Sequence, residues 1–119
     1  MKRTLIIGAS SNSTRYAYIA AKKLISYNHP ILLLGRRKGS VFGQEIFSEK
    51  VKWVDIDTVT LYINPKNQLE YYDYIISLKP NRVIFNPGTE NPEFESILNA
   101  VNIMPVVACT LVMLSIGEY

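Results

Sequence analysis

The sequence predicts an α/β protein with a doubly wound, mostly parallel sheet of five strands and helices on both faces of that sheet. Three observations predict this fold. Five short apolar runs are typical of buried strands, helical segments separate most of them, and two Asn-Pro pairs are typical of helix starts. Because 119 residues are enough to bury one core, we expect a single domain over residues 1–119.

The five predicted strands are continuous apolar runs rather than alternating ones, as in a parallel sheet that is covered on both faces. In chain order they are TLIIG (4–8), ILLLG (31–35), TVTLYI (58–63), RVIFN (82–86) and MPVVAC (104–109). With right-handed crossovers between parallel strands, we expect the sheet order 3-2-1-4-5.

The first predicted helix spans residues 14–27. Within it, Ala17, Ala20, Ala21 and Leu24 recur at the spacing of one helix face. Three alanines on that face would allow the helix to pack close to the sheet.

Two later helices are predicted to begin at Asn-Pro pairs. Asn64 and Asn91 are the expected N-caps, each followed by proline at the first helical position. The segment 36–57 has no comparable signal, and we expect an irregular crossover there with one short helix.

Composition argues against several classes of function. The net charge of +3 and the pI of about 9.0 are only mildly basic, and the tyrosines form no evident stacking platform, so we expect no nucleic-acid partner. No apolar run has the length of a membrane span, so we expect no membrane partner.

The sequence also lacks the residue patterns of common catalytic and metal sites. No metal-spaced Cys/His cluster or Ser-His-Asp set is present, so we expect no metal and no catalytic residues. Cys109 is the only cysteine, which favours the reducing cytoplasm, and His29 is interpreted as a loop residue.

The turn after the first strand reads GASSNS (8–13) and is the first candidate site. A dinucleotide turn has the pattern G-x-G-x-x-G, but only Gly8 is kept, and Ser10 and Ser13 replace the other glycines. A standard NAD or FAD site is therefore disfavoured. Backbone N–H groups, with the side chains of Ser10, Ser11 and Asn12, could still bind phosphate, and the alternative is an ordinary turn with Ser and Asn caps.

The end of the second strand carries cations where an NAD site would carry a carboxylate. Gly35, Arg36, Arg37 and Lys38 follow this strand directly, before Gly39. Such a cluster suits a nucleotide with an extra phosphate on its ribose, as in NADP or coenzyme A. A solvated basic loop is the alternative interpretation.

Two further strands end in Asn-Pro pairs that would flank the same crevice. Asn64 and Pro65 follow the third predicted strand, and Asn86, Pro87 and Gly88 follow the fourth. Because the carboxyl ends of parallel strands meet at one sheet edge, these residues are candidates to line a ligand site. The alternative is that they only form helix-capping turns.

Together, these motifs resemble a known family. GAS after the first strand, RYAY at the helix start, DTVTLYINPKNQ and RVIFNPGTENPE are similar to small stand-alone CoA-binding proteins. Their Rossmann-like domain is also found in the alpha chain of succinyl-CoA synthetase. The resemblance covers essentially the whole chain and implies CoA binding without demonstrated catalysis. Nothing here corresponds to the synthetase domain with the phosphorylated histidine, so ligase activity is not implied.

The resemblance also implies roles for individual residues. Contacts to the CoA phosphates would come from Gly8, Ala9 and Ser10, with Arg15 and Tyr16 closing over them from the helix start. The crevice would be lined by Asn64, Pro65, Asn86, Pro87 and Gly88. This chain departs from the family in having GRRKG where an Asn-Pro pair is common, and Tyr16-Ala17 where Tyr-Gly is common.

Three functions remain open from the sequence. The first is a CoA or acyl-CoA binding module, in which Cys109 could also form a mixed disulfide with the CoA thiol but more simply packs as a small apolar side chain. The second is an NADP-binding reductase-like domain, for which Tyr62 and Lys66 have the right spacing but straddle a predicted strand-to-helix junction. The third is a structural or interaction domain that binds no ligand.

Overall fold

The computed structural model describes residues 1–119, which form seven strands and five α-helices. The strands are β1 (Thr4–Ile7), β2 (Ile31–Leu34), β3 (Gly39–Val41), β4 (Gln44–Phe47), β5 (Thr58–Leu61), β6 (Arg82–Phe85) and β7 (Met104–Val107). The helices are α1 (Tyr16–Ser26), α2 (Pro65–Gln68), α3 (Tyr72–Leu78), α4 (Pro92–Ala100) and α5 (Thr110–Ser115). A 3-10 turn, Leu69–Tyr71, joins α2 to α3.

The strands form one mixed sheet in the order β3-β4-β2-β1-β5-β6-β7. All five predicted strands are present, but the predicted count of five and the order 3-2-1-4-5 are wrong. The third predicted strand, now β5, pairs with β1, because β4 occupies the place beside β2. Only β3 is antiparallel. The six parallel strands, numbered by themselves, follow 3-2-1-4-5-6, the order of dinucleotide-binding folds.

The two missed strands form a hairpin within the segment that was predicted to be irregular. The turn residues Phe42 and Gly43 have φ of +52° and +79°, as a tight mirror-type hairpin turn requires. Phe42 occupies the turn position where asparagine is usual, so the Asn-Gly signal of such a turn is absent. Phenylalanine rarely adopts positive φ, and the sequence therefore contains no indication of the turn. Only Val41 and Ile46 of the hairpin are fully buried, so no continuous apolar run marks either strand.

Each face of the sheet buries a core, which confirms the predicted helices on both faces. Leu5 and Ile7 of β1 belong to the cluster covered by α3 and α4, whereas Ile6 belongs to the cluster covered by α1 and α5. This alternation follows from the two-residue period of a strand, and both faces of β1 are buried.

The three helices predicted near residues 14–27, after Asn64 and after Asn91 are present, but the short helix expected within residues 36–57 is absent. The predicted apolar face of α1 is buried, but the helix begins at Tyr16 rather than at residue 14. Pro65 and Pro92 begin α2 and α4 as predicted. Helix α5 follows the last strand, and its Leu114 packs in the same core as α1. None of the helices combines the length and apolarity needed to cross a membrane.

At the amino edge of the sheet, His29 lies in the loop before β2, as predicted. Its Nδ1 accepts a hydrogen bond of 2.9 Å from the backbone N–H of Lys2. Burial, together with the positive charges of the amino terminus, Lys2 and Arg82, lowers the pKa of His29. The neutral imidazole is therefore the form that the fold stabilises.

Candidate functional site

A cavity of about 710 Å³ opens at the carboxyl edge of the sheet, where β1, β2, β5 and β6 end. Its volume lies within the range of roughly 300–1,000 Å³ that is usual for small-molecule sites. The lining residues are Gly8, Ala9, Ser10, Ser11, Asn12, Arg15, Tyr16, Ala17, Arg36, Arg37, Tyr62, Ile63, Asn64, Pro87, Gly88 and Thr89. The lining includes three arginines and no acidic residue, so the cavity suits an anionic ligand.

Gly8 makes the tight turn that begins the cavity wall. Its φ is +94°, and a Cβ atom at this position would lie 2.8 Å from the backbone oxygen of Tyr62. The N–H groups of Gly8 and Ala9 both donate to the carbonyl of Leu34, at 2.9 and 3.0 Å. The turn is therefore held between β2 and the end of β5, and only glycine fits its first position.

The alternative interpretation of this segment, an ordinary turn with Ser and Asn caps, is confirmed in part. Ser10 Oγ accepts a hydrogen bond from the backbone N–H of Asn12 at 3.0 Å. Asn12 Oδ1 accepts from the N–H and the hydroxyl of Thr14, at 3.0 and 2.7 Å. These bonds occupy residues 10–14 in a turn and explain why α1 begins later than predicted.

The start of α1 has no cap. Arg15 is its N-cap residue, but no side chain there accepts a hydrogen bond, and its first turn contains no acidic residue. The backbone N–H groups of Tyr16 and Ala17 donate to no acceptor in the chain. By contrast, Asn64 Oδ1 caps α2 and Asn91 Oδ1 caps α4. The positive end of the α1 dipole is thus open to an anion in the cavity.

The loop after β2 contributes two of its four predicted residues to the lining. Arg36 and Arg37 line the cavity, whereas Gly35 and Lys38 do not. Gly35 has a different role, because a Cβ atom there would lie 2.4 Å from the carbonyl oxygen of Ala9. Its lack of a side chain allows β2 to approach the first turn.

The loops after β5 and β6 form the opposite wall. Asn64, Pro87 and Gly88 line the cavity as predicted, but Pro65 faces a neighbouring depression of about 310 Å³. The capping alternative also holds for Asn64, whose Oδ1 accepts the N–H of Asn67 at 3.0 Å. Asn64 is exposed, so the rest of its surface remains accessible to a ligand.

Asn86 is not part of the lining. Its side chain is only 2% exposed, and its Nδ2 donates to Thr60 Oγ1 at 2.6 Å and to the Leu61 carbonyl at 2.9 Å. Its Oδ1 accepts the backbone N–H of Thr110 at 2.8 Å. Asn86 therefore joins β5 and β6 to the start of α5, beneath the cavity.

Four lining residues were missed by the sequence analysis. They are Ala17, Tyr62, Ile63 and Thr89. Ala17, Ile63 and Thr89 each lie next to a predicted site residue in the chain, and Tyr62 lies two positions before Asn64. Proximity in the chain was therefore the only signal that could have identified them.

Three side chains that the sequence brought into question show no arrangement for catalysis. Burial raises the pKa of Tyr62 to about 12, so its phenol is neutral, and Lys66 lies in α2 across the strand-to-helix junction, as expected. Cys109 is half-buried at the start of α5 and does not line the cavity. No group of three or more His, Cys, Asp or Glu side chains is arranged to hold a metal ion.

Comparison with protein families gives one match over nearly the whole chain. A family model described as "CoA binding domain" matches residues 2–115. No curated protein matches the sequence.

Solved structures give close matches in fold. A protein whose structure is titled "uncharacterized protein" is 57% identical, with a TM-score of 0.99 over 100% of this chain and 98% of its own. A hypothetical protein from Pyrococcus horikoshii OT3 is 24% identical, with a TM-score of 0.81 over 93% of this chain and 80% of its own. A Thermus thermophilus protein, cell-free ID.343, is 22% identical, with a TM-score of 0.84 over 99% of this chain and 90% of its own. The latter two, below 25% identity, are similar in fold alone.

Proposed function

Since this chain belongs to the CoA binding domain family, we propose that it binds coenzyme A or an acyl-CoA in the cavity at the carboxyl edge of the sheet. The ligand contacts come from the predicted residues that line this cavity. They are Gly8, Ala9, Ser10, Ser11, Asn12, Arg15, Tyr16, Arg36, Arg37, Asn64, Pro87 and Gly88. We assign no catalytic step to the protein and propose that it binds its ligand in the cytoplasm.

The observation that carries the proposal is the uncapped start of α1 within a cavity lined by three arginines. Free N–H groups at Tyr16 and Ala17 and the positive end of the helix dipole favour a phosphate group. Arg15 stands at the same helix start. A pyrophosphate there would satisfy donors that no group in the chain satisfies.

The order of the strands supports one orientation of the bound ligand in the cavity. The loop after β2 lies on one side of the first turn, and the loops after β5 and β6 lie on the other. Arg36 and Arg37 would bind the 3′-phosphate of the adenosine ribose on the β2 side. The pantetheine arm would extend past Ile63 toward Pro87 and Gly88.

Isothermal titration with CoA and dephospho-CoA tests this arrangement. A charge-assisted hydrogen bond contributes about 1.5–3 kcal/mol, so dephospho-CoA should bind roughly ten- to a hundredfold more weakly than CoA. The gap should narrow as salt rises, because the arginines are exposed to solvent. In the double variant Arg36→Ala/Arg37→Ala the two affinities should converge.

The matched control is Lys22→Ala/Lys23→Ala, which removes the same charge from α1 at positions outside the cavity lining. This variant should keep the preference for CoA. Equal binding of the two ligands to the unmodified protein would show that the arginines do not recognise a 3′-phosphate.

The same arginines could accept the 2′-phosphate of NADP, which makes an NADP-binding domain the second candidate. Ser10, in place of the second glycine, and the lack of a carboxylate after β2 disfavour NAD and FAD. CoA should therefore raise the melting temperature more than NADPH, NADH, NAD or FAD at equal concentration. A larger shift with NADPH would support the reductase-like alternative.

A further inference from the structure

Gln68, at the end of α2, is a buried amide that no feature of the sequence singled out. Its side chain is 0% exposed. Its Nε2 donates to the backbone carbonyl of Ile63 at 3.0 Å and to that of Thr89 at 2.8 Å. One amide group therefore joins the loop after β5 to the loop after β6.

A second buried amide holds Gln68 in this orientation. Asn91 Nδ2 donates to Gln68 Oε1 at 2.9 Å and to the Tyr72 hydroxyl at 2.8 Å. Asn91 Oδ1 accepts the N–H of Phe94 and so caps α4. Because both protons of Gln68 Nε2 and its Oε1 are engaged, its side chain has one favourable orientation.

The two carbonyl groups that Gln68 joins belong to residues that line the cavity. Ile63 and Thr89 form part of the wall on the β5 and β6 side, away from Arg36 and Arg37. In the arrangement proposed above, coenzyme A has its phosphates at the start of α1 and extends its pantetheine arm between these two loops. The separation of the loops then decides whether the far half of the ligand fits.

We propose that Gln68 is a positioning residue that sets the separation of the β5 and β6 loops for the pantetheine half of coenzyme A. This role rests on the proposed function. Gln68 does not line the cavity, so it acts through the backbone of Ile63 and Thr89 rather than by touching the ligand.

The test compares two ligands that share the adenosine end. Adenosine 3′,5′-bisphosphate carries the ribose 3′-phosphate but lacks the pantetheine arm, so it should not depend on the β5 and β6 loops. The variant Gln68→Met keeps the side-chain volume and removes both donors. Its affinity for CoA should fall about tenfold, the equivalent of about 1.4 kcal/mol. Its affinity for the bisphosphate should stay within about twofold of the unmodified protein, a difference of about 0.4 kcal/mol.

Tyr72→Phe is the matched control. It removes the hydroxyl that bonds to Asn91 and Glu93, keeps the ring stacked on Phe94, and leaves the bonds of Gln68 to the Ile63 and Thr89 carbonyls in place. We expect it to lower the melting temperature without changing the affinity for either ligand. If Gln68→Met does not fold, Gln68→Asn is measured instead, because its amide is one methylene too short to reach both loops.

The possible outcomes separate the two proposals. Selective loss of CoA affinity in the Gln68 variant supports the positioning role. Equal loss for both ligands, or no loss for either, overturns this role while the proposed function stands. If the unmodified protein binds neither ligand, the proposed function is wrong and the role of Gln68 is overturned with it.

Discussion

Replacement of Asn86 with alanine should destabilise the fold strongly and leave ligand affinity nearly unchanged. The sequence pattern placed Asn86 in the ligand crevice, but its side chain is buried and all three of its hydrogen bonds are internal. They reach Thr60, Leu61 and Thr110, so the amide connects two strands to the start of α5. Loss of this amide should therefore lower the free energy of unfolding and leave the affinity for the ligand nearly unchanged.

The magnitude follows from the bonds that alanine cannot make. The backbone N–H of Thr110 would lose its partner, and a buried donor without a partner costs about 1–3 kcal/mol. The two bonds from Nδ2 contribute about 0.5–1.5 kcal/mol each. The total is about 2–6 kcal/mol, a large fraction of the 5–15 kcal/mol that is typical of a domain. The melting temperature should fall by at least about 8 °C in a chain of this size.

Urea unfolding followed by circular dichroism measures this loss, with titration of CoA into the folded variant well below its melting temperature. Asn64→Ala is the comparison, since Asn64 also precedes proline after a strand but is an exposed cap worth about 1 kcal/mol. A stability loss for Asn86→Ala no larger than that for Asn64→Ala would refute the reasoning. So would a stable Asn86 variant that has lost CoA binding.

Three further predictions concern two glycines and the histidine. Gly8→Val should abolish CoA binding by titration and lower the melting temperature, whereas Gly117→Val, also at positive φ but in open space, should keep binding. Gly35→Ala should weaken both stability and binding because its Cβ meets backbone at 2.4 Å, whereas Gly39→Ala meets nothing closer than 3.8 Å and should be mild. The lowered pKa of His29 contributes stability that is present above about pH 6.5 and is lost as pH falls through the folded-state pKa. The urea midpoint should thus drop between pH 7.5 and 5.0, and the drop should be smaller in His29→Gln; an equal drop would contradict the assignment.

Much of the fold could be predicted because strands that are buried on both faces of the sheet have a recognisable apolar sequence. Apolar residues fill most positions of the largely buried strands β1, β2 and β6, and the starts of α2 and α4 carry Asn-Pro signals. The hairpin β3–β4 could not be predicted in this way. It is mostly exposed, and its turn places Phe42 at positive φ. Because the hairpin was not predicted, the predicted sheet order placed the strand now named β5 beside β2 instead of beside β1.

The sequence by itself determined which strand ends meet at the candidate site and that the site is basic. Gly8, Arg36 and Arg37 follow strands whose parallel pairing places their carboxyl ends at one edge. Only the tertiary structure decided which polar side chain at that edge is available to a ligand. Asn64 and Asn86 both follow a strand and precede proline, yet one is exposed and the other is buried. The difference arises because the start of α5 bonds to Asn86, and such a contact between residues 24 positions apart leaves no trace in local pattern.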